Sequence, residues 1–420
     1  MSHLAHAHWQ ENRQYTMDSF RYLPVTDETR SRDELITEYF KLGFTYLEIL
    51  AFLHRCHGTK LGIRQLNRIL KRLGLKRKRP QINVIHFIDA IEYELSSTGY
   101  TLGYRAMQRR LRNVHSISVD RVSIRLALAY IDPDGVAERR KRRLSRRLYW
   151  SKGPNYLIHL DGWDKLKPFG LCVHGGIDGF SRKILWLAVS RSNNDPFQVC
   201  HYFCQWIKQV KGLPFVVRTD RGTENVNVEH VQRILRLGNG DNRARNGSVF
   251  LYGKSTSNQR IESWWSKFKG LGMEGWIAHF KDLESHGVID TSDVLHVECI
   301  RFCYMKLLQH ELNQIMLEWN THHIRSNPLA RSPSGKPDVM YQFPQLYGAQ
   351  SYLQEYDTQT YEIVSSIASE QLEDCLPLYA EIFKSVVREH KLQEPVTLSN
   401  ALTMLTTLLD CVETELNELH

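Results

Sequence analysis

From residue 33 onward, apolar positions recur at helical intervals, and the breaks between them carry turn chemistry. One segment runs over residues 33–42 and stops at Gly43. Thr45-Tyr46-Leu47-Glu48 has capping-box spacing, in which hydroxyl and carboxylate satisfy each other's backbone N–H groups, and predicts a helix ending near Gly58. A third helix is predicted over residues 63–73, with Gly74 as its C-terminal cap. Ile63, Leu66, Ile69, Leu70 and Leu73 share one stripe of it, and Arg64, Arg68, Lys71 and Arg72 lie on the other side.

Three short helices with a basic last one suit a helix-turn-helix unit whose third helix enters a DNA major groove. The plainer alternative is a three-helix bundle with a solvated basic face. The continuing run Lys76-Arg77-Lys78-Arg79 favours DNA. A similar basic unit follows, with helices predicted over residues 82–97 and 102–112 and a third from a Ser118 cap through Tyr130. Asp132-Pro133-Asp134-Gly135 has turn chemistry. The segment from Arg139 to Arg147 holds seven basic residues in nine, as a nuclear-import signal or a phosphate-gripping linker does.

After Trp150 the period changes to that of strands. Residues 155–163, 170–177 and 182–190 read as three strands, with Asp178-Gly179 as a hairpin signal between the last two. A helix over 195–210, a buried strand over 214–219, a helix over 226–237, an extended run over 248–252 and a helix over 258–269 complete the series. Three antiparallel strands followed by alternating helix and parallel strand is the order of an RNase H-like fold. Residues 351–420 read as several helices with Leu, Ile and Val at helical spacing.

The expected organisation is therefore a flexible arm (1–30), helix-turn-helix modules (31–79 and 80–132) and a basic linker (133–150). A central α/β core with a mixed five-stranded sheet (151–345) and an acidic helical module (351–420) follow. The 420 residues suffice for several domains.

Charge sharpens this division. The net charge is +9, yet residues 351–420 hold 3 Lys/Arg against 13 Asp/Glu, which leaves +19 on the first 350 residues. So basic a body favours a polyanionic partner, and the tail repels one. For the tail, a subunit-contact module and a plain capping bundle are equally good readings. The eight cysteines form no CxxC pair, which argues against a disulfide framework and for a reducing compartment. His3, His6 and His8 lack the cysteines that would complete a zinc site. No apolar run reaches membrane-spanning length and the N-terminus has no signal-peptide core, so a soluble intracellular protein is expected, with no membrane partner.

Three carboxylates stand at the ends of predicted core elements. Asp161 lies toward the end of the first strand, Asp220 directly follows the fourth, and Glu262 sits in the first turns of the last helix. There it borders the stripe formed by Ile261, Trp264, Trp265 and Phe268. Carboxylates from distant segments can hold hard divalent ions while leaving positions open for a phosphate, which phosphoryl transfer on DNA requires. The neighbouring acids have structural explanations. Asp164 is expected on the opposite face by strand alternation, Asp178 in the Asp-Gly turn, and Glu224 in a loop whose Asn225 caps the next helix. His159 is expected to be buried and hydrogen-bonded, and Trp163, Trp264 and Trp265 to lie in the core, Trp163 near the rim of the site.

The segments NYLIHLDGWDKLK, FVVRTDRGTEN and NQRIESWWSKFKG resemble the three motif blocks of the retroviral-type catalytic core of DDE integrases and transposases, over about residues 150–270. The upstream helices resemble those of insertion-sequence transposases and of integrase-like proteins from eukaryotic mobile elements. The stretch from Glu318 to Pro337 resembles the closing segment of such regions.

The resemblance implies Asp161, Asp220 and Glu262 as catalytic metal ligands for two Mg²⁺ or Mn²⁺ ions. It implies a homomeric assembly that cuts double-stranded DNA ends and joins them to target DNA through a 3′-hydroxyl; the basic run from Arg139 to Arg147 is what points to the nucleus. Lys269 falls where integrases place a DNA-contacting lysine; their other lysine position is Ser266 here, with Lys267 beside it. The Asp220-to-Glu262 gap is longer than the usual retroviral spacing, and residues of about 274–297 form a second insertion. The alternative reading is a domesticated DNA-binding protein that keeps the fold without strand transfer. A nuclease acting on RNA or RNA–DNA hybrids is a third, which the DNA-type helix-turn-helix units disfavour.

Overall fold

The computed structural model describes residues 30–76, 83–138, 149–253, 258–327, 332–368 and 375–418. The basic run from Arg139 to Arg147, the histidines of the N-terminal arm and nearly all of that arm lie outside the described residues.

The first three helices are α1 (Arg32–Lys41), α2 (Tyr46–His57) and α3 (Ile63–Arg72). Capping boxes open α1 at Ser31 and Glu34 and α2 at Thr45 and Glu48, because each pair satisfies two backbone N–H groups that the helix leaves orphaned. Leu66, Ile69 and Leu70 of α3 pack on Tyr39, Phe44 and Phe52. The outer ends of the expected stripe, Ile63 in the first turn and Leu73 at the C-cap, are 41% and 37% exposed.

The next group is α4 (Val84–Leu95), α5 (Tyr104–Asn113), α6 (Arg121–Ile131) and α7 (Pro133–Glu138). Asp120, not Ser118, caps α6: its carboxylate accepts from the N–H groups of Val122 and Ser123. The expected turn at Pro133 is instead the first turn of α7, where the Asp132 carboxylate accepts from Gly135 N–H at 3.0 Å. Proline at a first helical position loses no bond, which is why the same residues serve either structure.

The core is a five-stranded mixed sheet ordered β3-β2-β1-β4-β5. Its strands are β1 (Leu157–Trp163), β2 (Cys172–Asp178), β3 (Ile184–Ser190), β4 (Val216–Thr219) and β5 (Phe250–Tyr252). β1, β2 and β3 are antiparallel, while β1, β4 and β5 run parallel. With α8 (Pro196–Val210), α9 (Val226–Gly238) and α10 (Gln259–Phe268) this is the RNase H-like arrangement that the element order predicted. Asp178 builds the hairpin turn: its carboxylate accepts from Ser181 N–H and O–H and from Asn155 N–H.

The insertion after α10 forms α11 (Met273–Ser285) and leads into the 28-residue α12 (Val294–Thr321). α12 lies along edge strand β3 and satisfies its backbone. Gln309 takes Val189 N–H and Leu187 C=O, and Asn320 takes both groups of Ile184. An edge covered in this way cannot recruit another strand.

Then come α13 (Pro337–Gln342), α14 (Thr358–Ile367), α15 (Pro377–Glu389) and α16 (Leu398–Glu418). Phe383, Ala401, Leu405 and Leu408 are buried in the same cluster as Ile300, Leu308 and Ile315 of α12. These apolar positions of α15 and α16 are therefore covered within this chain, while Ile363, Leu378 and Val396 of the tail are exposed.

Both N-terminal helical groups are fastened to the core. Lys336 pairs with Glu48 at 2.6 Å and Phe343 packs on Phe52. Arg110, only 4% exposed, meets Glu94 of its own group and Glu311 and Glu318 of α12.

Candidate active site

Parallel pairing of β1 with β4 brings two of the carboxylates side by side. The register sets Leu157 beside Val216 and His159 beside Arg218, so its continuation sets Asp161 beside Asp220 at the carboxyl end of both strands. Glu262 lies in the first turn of α10, where a negative side chain favours the helix dipole. Ile261, Trp264, Trp265 and Phe268 are buried beneath it as the helical period predicted. All three carboxylates are half-buried.

Trp265 does more than fill the core. Its indole N–H donates to Asp161 Oδ2 at 2.9 Å. Room for the ring comes from Gly175, directly across from Asp161 on β2: a Cβ there would stand 3.0 Å from both the Trp265 ring and Leu187. Neither feature is visible in periodicity, which marks Trp265 only as apolar and Gly175 only as small.

The three acids interact. Burial raises the Asp161 carboxyl, Glu262 and Asp220 raise it further, and the Trp265 and Gly162 hydrogen bonds pull it back, leaving it at about 7. Burial and then Asp220 raise Glu262. Like charges held together in a half-buried site disfavour ionisation, and a bound cation reverses that.

The acidic surroundings are wider than the triad. Glu224 is raised by burial and, after the bond to its own backbone, by Asp220 and then Asp164. Asp164 follows the end of β1 on the Gly162 side of the strand, opposite the Asp161 side chain, as alternation expects: the Asn193 amide it meets also borders Gly162. Its carboxylate accepts from Asn193 at 2.9 Å. Asn225 makes no side-chain cap; its amide donates to Glu224 at 2.8 Å, and α9 starts from a short 3₁₀ turn. Trp163 is buried edge-on against Phe268.

No group of three or more His, Cys, Asp or Glu side chains among the described residues is drawn together closely enough to hold a metal ion as it stands. The donor chemistry nevertheless suits a hard divalent cation: the acids come from three elements, are half-buried and repel one another.

The remaining predicted residues are spread over two regions. On α3, Arg64, Arg68 and Lys71 are exposed, and Arg72 is paired with Asp33. On α10, Lys267 lies 4.9 Å over the Trp319 ring, and just beyond it Lys269 pairs with Glu274 at 3.0 Å.

Residues 148–335 match the family model of the integrase core domain. The match supports a retroviral-type DDE integrase catalytic core. It spans all five strands, α8 to α12, and Asp161, Asp220 and Glu262. Integrase core domains generally depend on divalent metal, in keeping with the carboxylate chemistry of these three residues, and they act as polynucleotidyl transferases. No curated protein matches the chain. No helix among the described residues is long and apolar enough to cross a membrane.

Proposed function

We propose that this chain is a DNA integrase or transposase that cuts double-stranded DNA ends and joins them to a target by in-line attack of water or a 3′-hydroxyl on a phosphodiester. One observation carries the reading: within an integrase core, Asp161, near the end of β1, and Asp220, directly after β4, stand on adjacent strands near Glu262 of the facing helix. These three would hold two Mg²⁺ or Mn²⁺ ions, which when bound activate the attacking oxygen and stabilise the leaving one.

The chain's own groups orient the site. Trp265 fixes one Asp161 oxygen, and the Gly175 gap lets it do so. Arg64, Arg68 and Lys71 present donors that suit base edges and phosphates if the first three helices act as a helix-turn-helix unit. Lys267, in the last turn of the Glu262 helix, and Lys269, just beyond it, are the further residues assigned to DNA contact. The basic run from Arg139 to Arg147 is our candidate nuclear-import signal.

The test is a labelled duplex carrying the element's own terminal repeats, incubated with full-length protein and Mg²⁺ or Mn²⁺. Joined product is expected. Binding of the duplex with no cleavage in either metal would make the chain a DNA-binding protein that keeps the integrase fold.

A further inference from the structure

The first turn of α10 is locked to β1 by a buried polar network that the chemistry above does not use. Asn258, 1% exposed, directly precedes the helix, and its C=O accepts from Glu262 N–H at 3.3 Å. Its side chain turns the other way, into the sheet. The amide nitrogen donates to Leu160 C=O at 2.8 Å, and the amide oxygen faces His159 Nδ1 at 2.7 Å. Since that oxygen can only accept, His159 donates from Nδ1, and Nε2 accepts from the Tyr149 hydroxyl at 2.7 Å. Arg260 in turn lies 3.9 Å over the Tyr149 ring.

His159 and Leu160 are the two residues before Asp161, and Asn258 is four before Glu262. The network therefore joins the backbone that carries one acid to the backbone that carries the other. One turn further along, Trp265 makes the second link, from α10 to the Asp161 side chain. Glu262 lies between these two anchors. A helix merely packed on a sheet can slide or roll by a fraction of an ångström, because dispersion contacts are weakly directional. Two short hydrogen bonds inside a buried core cannot be stretched without leaving buried polar atoms unsatisfied.

We propose that Asn258 and His159, with Tyr149 behind them, are positioning residues that set the separation of Asp161 and Glu262 and hence the affinity of the site for divalent metal. The inference rests on the metal-ligand reading of the three acids. Burial alone would ask only for apolar residues at positions 159 and 258; paired donors and acceptors there restrict orientation as well.

Mn²⁺ binding to full-length protein, measured by calorimetry without DNA, tests this apart from catalysis. Asp161→Asn serves as the control and should abolish binding. Asn258→Ala removes both side-chain bonds and should weaken Mn²⁺ binding about tenfold, while circular dichroism and duplex affinity stay near wild type. If Asn258→Ala does not fold, Asn258→Ser, which can restore one of the two bonds, should show a smaller loss, about threefold. Wild-type Mn²⁺ affinity in a folded Asn258 variant, with binding abolished by Asp161→Asn, would overturn the positioning role alone. Undiminished Mn²⁺ binding by Asp161→Asn would instead overturn the metal-ligand reading, and this inference with it.

Discussion

Asp161 is the residue whose ionisation is most contested, since burial, Glu262 and Asp220 oppose its charge while the Trp265 indole supports it. Trp265→Phe keeps an aromatic ring in the core but deletes the N–H together with part of the indole's volume, and a hydrogen bond to a charged group contributes about 1.5–3 kcal/mol. Strand joining should fall roughly tenfold or more, with duplex binding intact; an unchanged joining rate would show that the bond is incidental.

His174 supplies a second test at this scale. It is buried, and its Nδ1 accepts from the Trp186 indole N–H at 3.2 Å. Burial lowers it to about 3. The unfolded ring protonates near its ordinary pKa of about 6.5 and the folded ring does not, so stability holds above that pH and falls as pH drops towards 3. Melting temperature should decline between pH 7 and pH 5, and less steeply in His174→Phe. Parallel declines in the two proteins would remove His174 as a source.

At the scale of elements, the proposed DNA-contacting face lies on α3. Its exposed Arg64, Arg68 and Lys71 should each weaken duplex binding when changed to alanine, and the salt slope should fall by about one for each phosphate that is no longer neutralised. Arg72→Ala should do less, because Arg72 is already paired with Asp33. Equal losses across all four would point to bulk charge in place of a reading face.

This scale is also where the sequence was most legible. The capping residue Thr45 and the Asp178 turn lie where local chemistry demanded them. Local chemistry misled where two structures could use the same residues, as with Ser118 against Asp120, or Pro133 as turn against helix start. The site followed the same rule. Element ends located Asp161, Asp220 and Glu262, but the Trp265 bond, the Gly175 gap and the Asn258 network join residues roughly 90–100 positions apart, and no local pattern encodes them.

For the whole molecule, the helical groups are not beads on a string. Arg110 joins α5 to the core through carboxylates on α12, and its removal leaves Glu94, Glu311 and Glu318 without their buried partner. Arg110→Ala should cost about 3–5 kcal/mol, read as a large drop in denaturant midpoint; a near-neutral effect would mean that water enters this interface. The acidic tail shares its apolar cluster with α12, so truncation after Gln350 uncovers Leu308 and its neighbours. We expect a lowered melting temperature and aggregation in that variant. A truncated chain that melts like wild type but loses self-association would restore the tail to the subunit-contact role its composition left open.

The central claim is that one integrase core works through three acids, and one measurement addresses it most directly. Asp161→Asn, Asp220→Asn and Glu262→Gln are each compared with wild type for Mg²⁺-dependent cutting and joining, with duplex binding measured in parallel. Each variant should lose activity by at least about a hundredfold and keep its affinity for DNA, because the ligands to the ions are lost and the basic surfaces are not. Near-wild-type joining by any one of the three would contradict the account at that residue.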